Sequence, residues 1–313
     1  MRAIRKSPVL LVALVLALVV PAAPAVAAPA APASLVPFGS RLAYLSLGDS
    51  LAAGVQADAN GDSILTDEGY ADQLHRRFAR ALPGLRHIKL GCPGETTTTM
   101  LNGGICDYEH GSQIEEAAAV LERSRPLVLL VTIDIGANDV NRCITAGAID
   151  QACVAQAFAT AAANLAEILQ RLRGAARPFV PIVGMNYYSP YLAAWLQGAQ
   201  GQELARAANQ VLGRYNDTLE QVYAAAGVPV ADVETAFSST ELEQTVELPG
   251  VGPVPVAVAR VCEWTWMCVL PPRKPNIHAN TAGYAVIATA FERALLAWLL
   301  PGGLRRLAAS AKA

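Results

Sequence analysis

The sequence predicts an α/β domain in which helices cover both faces of a parallel sheet. Three observations support this. Between residues 42 and 299, short apolar runs alternate repeatedly with segments of helical periodicity, an order that calls for parallel strands joined by helical crossovers. One run, Leu127–Ile133, is apolar almost throughout and rich in β-branched residues, as a strand buried on both faces must be. At 313 residues, 53% hydrophobic and 16% charged, the chain can bury one substantial core without dividing.

The elements follow in order. Leu42–Leu47 is a short, mostly apolar run that stops at Gly48, as a buried strand entering a turn does. Tyr70–Leu82 places Tyr70, Leu74 and Phe78 on one helical face and is stopped by Pro83 and Gly84. Arg86–Leu90 reads as a strand, and Ser112–Arg123 as a helix with Ile114, Ala117, Ala118 and Leu121 together. After the Leu127–Ile133 strand come a long amphipathic helix over Asp150–Arg173, a strand over Phe179–Val183, a helix over Gln202–Ala226 and a strand over Val228–Val233. Ala282–Leu299 closes the fold as a helix, with Asn280 or Thr281 as its cap and Gly302 beyond its end. Val246–Val261 is rich in Val and Pro and is expected to be a loop laid over the domain, because proline disrupts both a regular helix and a central strand.

Arg2, Arg5 and Lys6 precede an apolar run from Val9 to Val20, and Ala25, Val26 and Ala27 supply a small-residue cleavage site. This is the layout of a signal peptide over residues 1–27. The apolar run is short for a membrane span, so no stable span is expected; an uncleaved anchor is the competing reading. Residues 28–40 continue as an Ala/Pro-rich linker, residues 41–300 form a single domain and residues 301–313 a tail. The net charge is -2, from 24 basic and 26 acidic residues, with no dense Lys/Arg stretch inside the domain. Nothing here points to nucleic acid as a partner.

An exported chain meets an oxidising compartment, and the six cysteines fall into sequential close pairs: Cys92 with Cys106, Cys143 with Cys153, and Cys262 with Cys268. Disulfides in that pairing are expected from proximity and the even count, each worth about 2–4 kcal/mol in the chain-entropy model. A zinc cluster is the alternative, but the chain has neither a CxxC nor an HExxH pattern.

In open parallel sheets the ligand sits beyond the carboxyl ends of the strands, so chemistry is sought just after Leu47 and Ile133. Gly48-Asp49-Ser50-Leu51 follows the first strand. A serine on such a strand-to-helix turn presents its hydroxyl to the cleft, and the turn's N–H groups can face a developing oxyanion. Gly136-Ala137-Asn138-Asp139 follows the third, where Asn138 can offer its side-chain N–H to the same charge. Between them, Gly91-Cys92-Pro93-Gly94-Glu95-Thr96 contains Gly94, whose backbone can approach a ligand closely. Each segment alone also reads as an ordinary turn. Of the 4 histidines, His75 falls in an amphipathic helix as a surface residue, His87 at a strand start and His110 in a loop. His278 lies in the loop before the last helix, where an imidazole can take the Ser50 proton and pass it to a leaving alkoxide.

Taken in order, these segments resemble the SGNH (GDSL) hydrolase family. Leu45-Ser46-Leu47-Gly48-Asp49-Ser50-Leu51-Ala52-Ala53-Gly54 is similar to its first block, and Cys92-Pro93-Gly94-Glu95-Thr96-Thr97 to its second. Gly136-Ala137-Asn138-Asp139 is similar to the third, and Ile277-His278-Ala279-Asn280-Thr281-Ala282-Gly283-Tyr284 to the fifth. The resemblance spans Leu42 to Leu299 and implies a flavodoxin-like three-layer α/β/α domain around a central parallel sheet of about five strands. It implies a serine hydrolase of the secreted actinobacterial lipase/esterase type, with Ser50 as nucleophile and His278 as base. Ser50 N–H, Gly94 N–H and the Asn138 side chain would form the oxyanion hole, with no metal or organic cofactor. The expected partner is a small-molecule or lipid ester, and the expected state a monomer. Secreted relatives of this type commonly carry three disulfides, which matches the cysteine pairs.

One departure stands out. The family usually places an aspartate two or three residues before the histidine, and here those positions are Asn276 and Pro275. Some relatives use a backbone carbonyl, so either the Pro275 carbonyl or the Asn276 side-chain oxygen would accept His278 Nδ1–H; a neutral acceptor stabilises the imidazolium less than a carboxylate. The Val246–Val261 segment, Trp264, Trp266, Tyr187, Tyr188 and Trp195 are candidate walls of a hydrophobic acyl site, or ordinary packing. The expected order of substrates is lipase or carboxylesterase, then phospholipase, then carbohydrate acetyl esterase. The contrasting readings are an inactive relative and a non-catalytic exported binding protein on the same scaffold. A metal-dependent hydrolase lacks enough clustered His and acidic ligands.

Overall fold

The computed structural model describes residues 41–123, 126–145 and 148–300, so the leader, the linker, the tail and Gly302 fall outside it. β1 (Leu42–Gly48) is buried along its whole length and turns directly into a short helix, α1 (Ser50–Ala53). A two-stranded antiparallel ribbon, β2 (Val55–Ala57) with β3 (Ser63–Leu65), leads to α2 (Tyr70–Ala81). β4 (Arg86–Lys89) is followed by α3 (Thr97–Asn102) and α4 (Gln113–Glu122), each started by a hydroxyl cap, Thr96 and Ser112. β5 (Leu127–Asp134) passes into α5 (Ala137–Asn141) and then the long α6 (Gln151–Ala175), which Asp150 caps. The crossovers continue through β6 (Ile182–Met185), α7 (Ala199–Ala225), β7 (Val230–Ala231) and α8 (Val233–Ala236). A hairpin, β8 (Thr245–Leu248) with β9 (Gly252–Pro255), precedes α9 (Val256–Trp264). Finally β10 (Thr265–Trp266) pairs with β11 (Asn276–Ala279), and Asn280 caps α10 (Thr281–Leu299).

The central sheet has 5 strands, all parallel, in the order β4-β1-β5-β6-β7. Helices flank it on both faces, α2 packing with α10, and α6 with both α4 and α7. The core joins Leu45, Leu47, Val131 and Ile133 of the sheet to Leu165 of α6 and Phe291 of α10. Each such side chain contributes about 1.5–3 kcal/mol by leaving water. Because β1 lies between β4 and β5 and all three run the same way, the loops that follow them emerge side by side. Gly48 is in register with Asp134, and Ser46 with Lys89. That adjacency brings three distant segments of sequence together.

Several expectations are corrected. Val246–Val261 is not a loop: it forms β8, β9 and the first part of α9. Its prolines sit in the hairpin and at the α9 cap, while Val256–Trp264 contains neither Pro nor Gly and is free to wind. Ala257, Val258 and Val261 of this helix close a second, smaller core with Leu192 and Val254. The strand expected over Phe179–Val183 runs instead over Ile182–Met185. Pro181 has no N–H for a ladder, and Val180 N–H turns back onto the Arg177 carbonyl. The last strand shortens to Val230–Ala231 because the Asp232 side chain accepts from Thr235 N–H and starts α8.

Candidate active site

Ser50 is the first residue of α1, reached from β1 through Gly48 and Asp49. Gly48 has φ +139°, and a Cβ there would lie 2.2 Å from the Asp134 carbonyl oxygen, so glycine alone fits. Neighbouring strands hold this turn: Asp49 N–H donates to the Asp134 carbonyl (3.1 Å) and Cys92 N–H to the Gly48 carbonyl (3.0 Å). At a helix start, the Ser50 N–H has no intrahelical carbonyl to bond and is free for a ligand.

Gly94 has φ +86° and faces open space where a side chain would be. Asn138 Nδ2 donates one hydrogen to the Glu95 carbonyl at 2.9 Å and retains a second. Its neighbour Asp139 accepts from Thr97 N–H (2.9 Å) and from the Thr97 hydroxyl (2.7 Å). Gln113 Oε1 accepts from Gly48 N–H (2.6 Å), while Nε2 donates to the Gly48 carbonyl (2.9 Å) and to Glu95 Oε2 (3.0 Å). Thus the loops after β1, β4 and β5 are bonded to one another, and the Cys92–Cys106 disulfide closes the second of them. Burial raises the Glu95 and Asp139 carboxyls above the usual carboxylate range. Sequence reasoning missed Gln113 and Asp139 as parts of this frame. Asp139 carried a signal, being inside the third motif, whereas Gln113 looks like any first-turn residue of an amphipathic helix.

β11 packs against α1, which brings His278 to the turn that carries Ser50. Asn276 Nδ2 donates to the Gly61 carbonyl (3.1 Å) and to Ser63 Oγ (3.0 Å). A carbonyl can only accept, so the amide orientation is fixed and Oδ1 points to His278. There Oδ1 accepts from the His278 backbone N–H (3.1 Å) and lies 2.6 Å from Nδ1. The ring proton therefore sits on Nδ1, and Nε2 carries the free lone pair. Of the two acceptors expected, Asn276 Oδ1 holds this position and the Pro275 carbonyl does not. Burial lowers the His278 pKa to about 4. The Tyr188 hydroxyl donates to the Ile277 carbonyl (2.8 Å), bracing the same strand. Among the described residues Ser50 Oγ makes no hydrogen bond to the His278 ring, a contact that in such sites tightens as substrate binds.

The other histidines lie elsewhere. His75 is not the surface residue expected: it is half-buried, with Nε2 2.8 Å from the Leu85 carbonyl and its ring stacked on His87. His87 in turn stacks on Tyr44, and His110 pairs with Glu116 at the surface. Of the two readings of the aromatic side chains, packing describes most of them. Tyr187 and Tyr188 belong to the main core, Trp264 packs edge-on to Phe237 beneath Arg260, and Trp266 lies beneath Arg273. Trp195 lines a cavity of about 580 Å³ with Pro253 and Pro255, and its walls include none of Ser50, Gly94, Asn138 and His278. The structure pairs the remaining cysteines as Cys143–Cys153 and Cys262–Cys268.

A serine, an imidazole and a set of N–H donors at the carboxyl edge of a parallel sheet form the constellation of an acyl-transfer enzyme. The chain belongs to the GDSL-like lipase/acylhydrolase family, whose profile matches residues 46–286, and is an ester-hydrolysing enzyme. The extracellular lipase of Streptomyces rimosus is similar in structure, with a TM-score of 0.53 and 21% identity over 81% of this chain and 99% of that one. The acetylxylan esterase Axe2 of Geobacillus stearothermophilus has a TM-score of 0.50 and 17% identity, over 81% and 93% of the two chains. At these identities the likeness shows the fold. No curated protein sequence matches the chain.

Proposed function

We propose that the protein is an exported lipase or carboxylesterase in which Ser50 and His278 carry out acyl transfer. Ser50 Oγ attacks the ester carbonyl carbon while His278 Nε2 takes its proton. The oxyanion is held by Ser50 N–H, Gly94 N–H and the second hydrogen of Asn138 Nδ2. The imidazolium returns the proton to the leaving alkoxide, the alcohol departs, and water, deprotonated by His278, releases the acid and regenerates Ser50.

The observation that carries this reading is the fixed amide of Asn276, which leaves the unprotonated Nε2 of His278 on a strand packed against the nucleophile helix. A hydrophobic acyl group is favoured by exposed apolar side chains around the site: Ile277 beside His278, and Ile64 and Leu65 on the ribbon whose Ser63 bonds Asn276. Export rests on the leader over residues 1–27 and on the three disulfides, with residues 41–300 acting as the catalytic domain. Phospholipase and carbohydrate acetyl esterase activities follow in that order.

The test is hydrolysis of p-nitrophenyl esters of graded acyl length, beside phosphatidylcholine and acetylated xylan. Ser50→Ala is expected to lower kcat by about 10⁴-fold or more and to abolish fluorophosphonate labelling while the fold survives. Near-normal turnover by Ser50→Ala would end the mechanism, and a wild-type protein that never labels would favour a binding protein.

A further inference from the structure

Beneath Ser50 lie two carboxyl groups that the reaction above does not use. Asp49 and Asp134 are 1% and 0% exposed. Asp49 Oδ1 accepts from Leu51 N–H, and Asp134 Oδ1 accepts from the Tyr70 hydroxyl. Asp134 Oδ2 is buried and has no donor among the described residues, yet the carboxyl of Asp49 lies within hydrogen-bonding reach of that of Asp134. Two bare carboxylates in this position would repel, and neither supplies a hydrogen to the other.

The surroundings supply no compensating charge. From β1 and α2 the pair is faced by Tyr44 and Tyr70, while Asp72 of α2 is paired with Lys89 of β4 at 2.8 Å. From the loop after β4 and from α5 it is faced by Glu95 and Asp139. Tyr187 and Tyr188 after β6, Tyr215 and Tyr223 of α7 and Tyr284 of α10 face it as well. The groups acting on the pair are neutral phenols, raised by burial, or further acids; Lys89 is taken up by Asp72, and Arg142 acts on Asp139. One proton shared by the pair resolves both the repulsion and the missing donor.

We propose that Asp134 is a positioning residue for Ser50: its carboxyl group stays protonated at neutral pH and donates a hydrogen bond to the Asp49 carboxylate, fixing the turn that carries the nucleophile. Burial and the neighbouring charge push both carboxyls above the usual carboxylate range; Asp49 Oδ1 already accepts from Leu51 N–H as a carboxylate would, whereas Asp134 Oδ2 is the buried oxygen without a donor, which places the proton on Asp134. The Asp49 N–H already donates to the Asp134 carbonyl, so the two residues are joined through backbone and side chain alike. The second bond keeps Asp49 in place as the α1 cap, and with it the direction of the Ser50 N–H and Oγ.

This inference rests on Ser50 being the nucleophile, and the experiment separates the two. Wild type, Asp134→Ala and Asp134→Asn are compared for kcat and KM on p-nitrophenyl butyrate, for fluorophosphonate labelling rate, and for pH profile. Asp134→Ala is expected to lower kcat and labelling by about 10- to 100-fold with little change in KM, since a misdirected nucleophile loses that much. Asp134→Asn should recover most of the loss, because its amide N–H donates to Asp49 while its oxygen still accepts from Tyr70. Wild-type kcat should fall at alkaline pH as the shared proton leaves, and Asp134→Asn should lack that limb. The wild-type minus Asp134→Asn infrared difference spectrum should contain a protonated-carboxyl stretch at pH 7, a readout that holds even if Asp134→Ala does not fold. Absence of that band, or identical kcat in all three proteins, overturns the positioning role while leaving Ser50 as nucleophile. Failure of wild type to label overturns both.

Discussion

Asn276 and His278 orient each other through a single oxygen, which lies 3.1 Å from the histidine's backbone nitrogen and 2.6 Å from its Nδ1. The amide thus stands where a Ser-His-Asp triad has its carboxylate. It supplies direction without charge, so in the proposed mechanism the imidazolium gains less stabilisation than an aspartate would provide.

Asn276→Ala is accordingly expected to reduce kcat by about 10-fold or more with KM little changed, because the ring loses its fixed tautomer. Asn276→Asp should raise the His278 pKa by about one unit or more, moving the acid limb of kcat/KM toward neutrality. It should also lower thermal stability, since the Gly61 carbonyl and Ser63 Oγ would then face a carboxylate in place of a donor. Steady-state pH profiles and melting curves of the two variants check both outcomes.

The acid limb of the wild-type enzyme should have its midpoint near pH 4 rather than the ordinary 6.5 of histidine, since burial depresses His278 to about 4. The sign follows from keeping the ring neutral: activity is full above the folded pKa and is lost as pH falls through it. Stability moves the same way. Between pH 6.5 and about 4 the unfolded chain takes up a proton that the folded one refuses, costing on the order of 3 kcal/mol by pH 4. The raised carboxyls of Asp49 and Asp134 act in the opposite direction, so the measurement is the difference in unfolding free energy between wild type and His278→Gln across that range.

Gln113→Ala should destabilise the protein by about 2–3 kcal/mol, because it leaves the Gly48 N–H and carbonyl without their side-chain partners. Activity should fall beyond what the stability loss explains, since the same side chain joins the nucleophile turn to the Glu95 loop. Denaturant unfolding and kcat at a temperature well below the transition separate the two effects.

Removing the Cys92–Cys106 disulfide by a double Cys→Ser change should cost about 3 kcal/mol, the chain-entropy value for a closed loop of this size at a sequence separation of 14. The loop carrying Gly94 would gain freedom, so kcat should fall more than KM rises. Differential scanning calorimetry with kinetics on the double variant and the wild type reads it.

Much of this molecule is written locally. The parallel α/β plan followed from runs such as Leu127–Ile133 and from caps such as Asn280, because burial period and helix termini are short-range properties of a chain. The serine, glycine, asparagine and histidine stood in recognisable local settings, each beside a strand end or helix start. Where local signals competed, the sequence reading slipped: Pro181 displaced a strand, Asp232 ended another, and prolines at the edges of Val246–Val261 hid a helix.

Three matters were decided only in three dimensions. Asn276 rather than Pro275 orients His278 because Gly61 and Ser63, more than two hundred residues away in sequence, supply the acceptors that fix its amide. Gln113 joins the Gly48 turn to the Glu95 loop because β4 lies beside β1. Asp134 meets Asp49 because Gly48 and Asp134 share a register. Periodicity and capping are set by neighbours along the chain, whereas these hydrogen bonds depend on which strands lie side by side, and that is determined by the packing of the whole sheet.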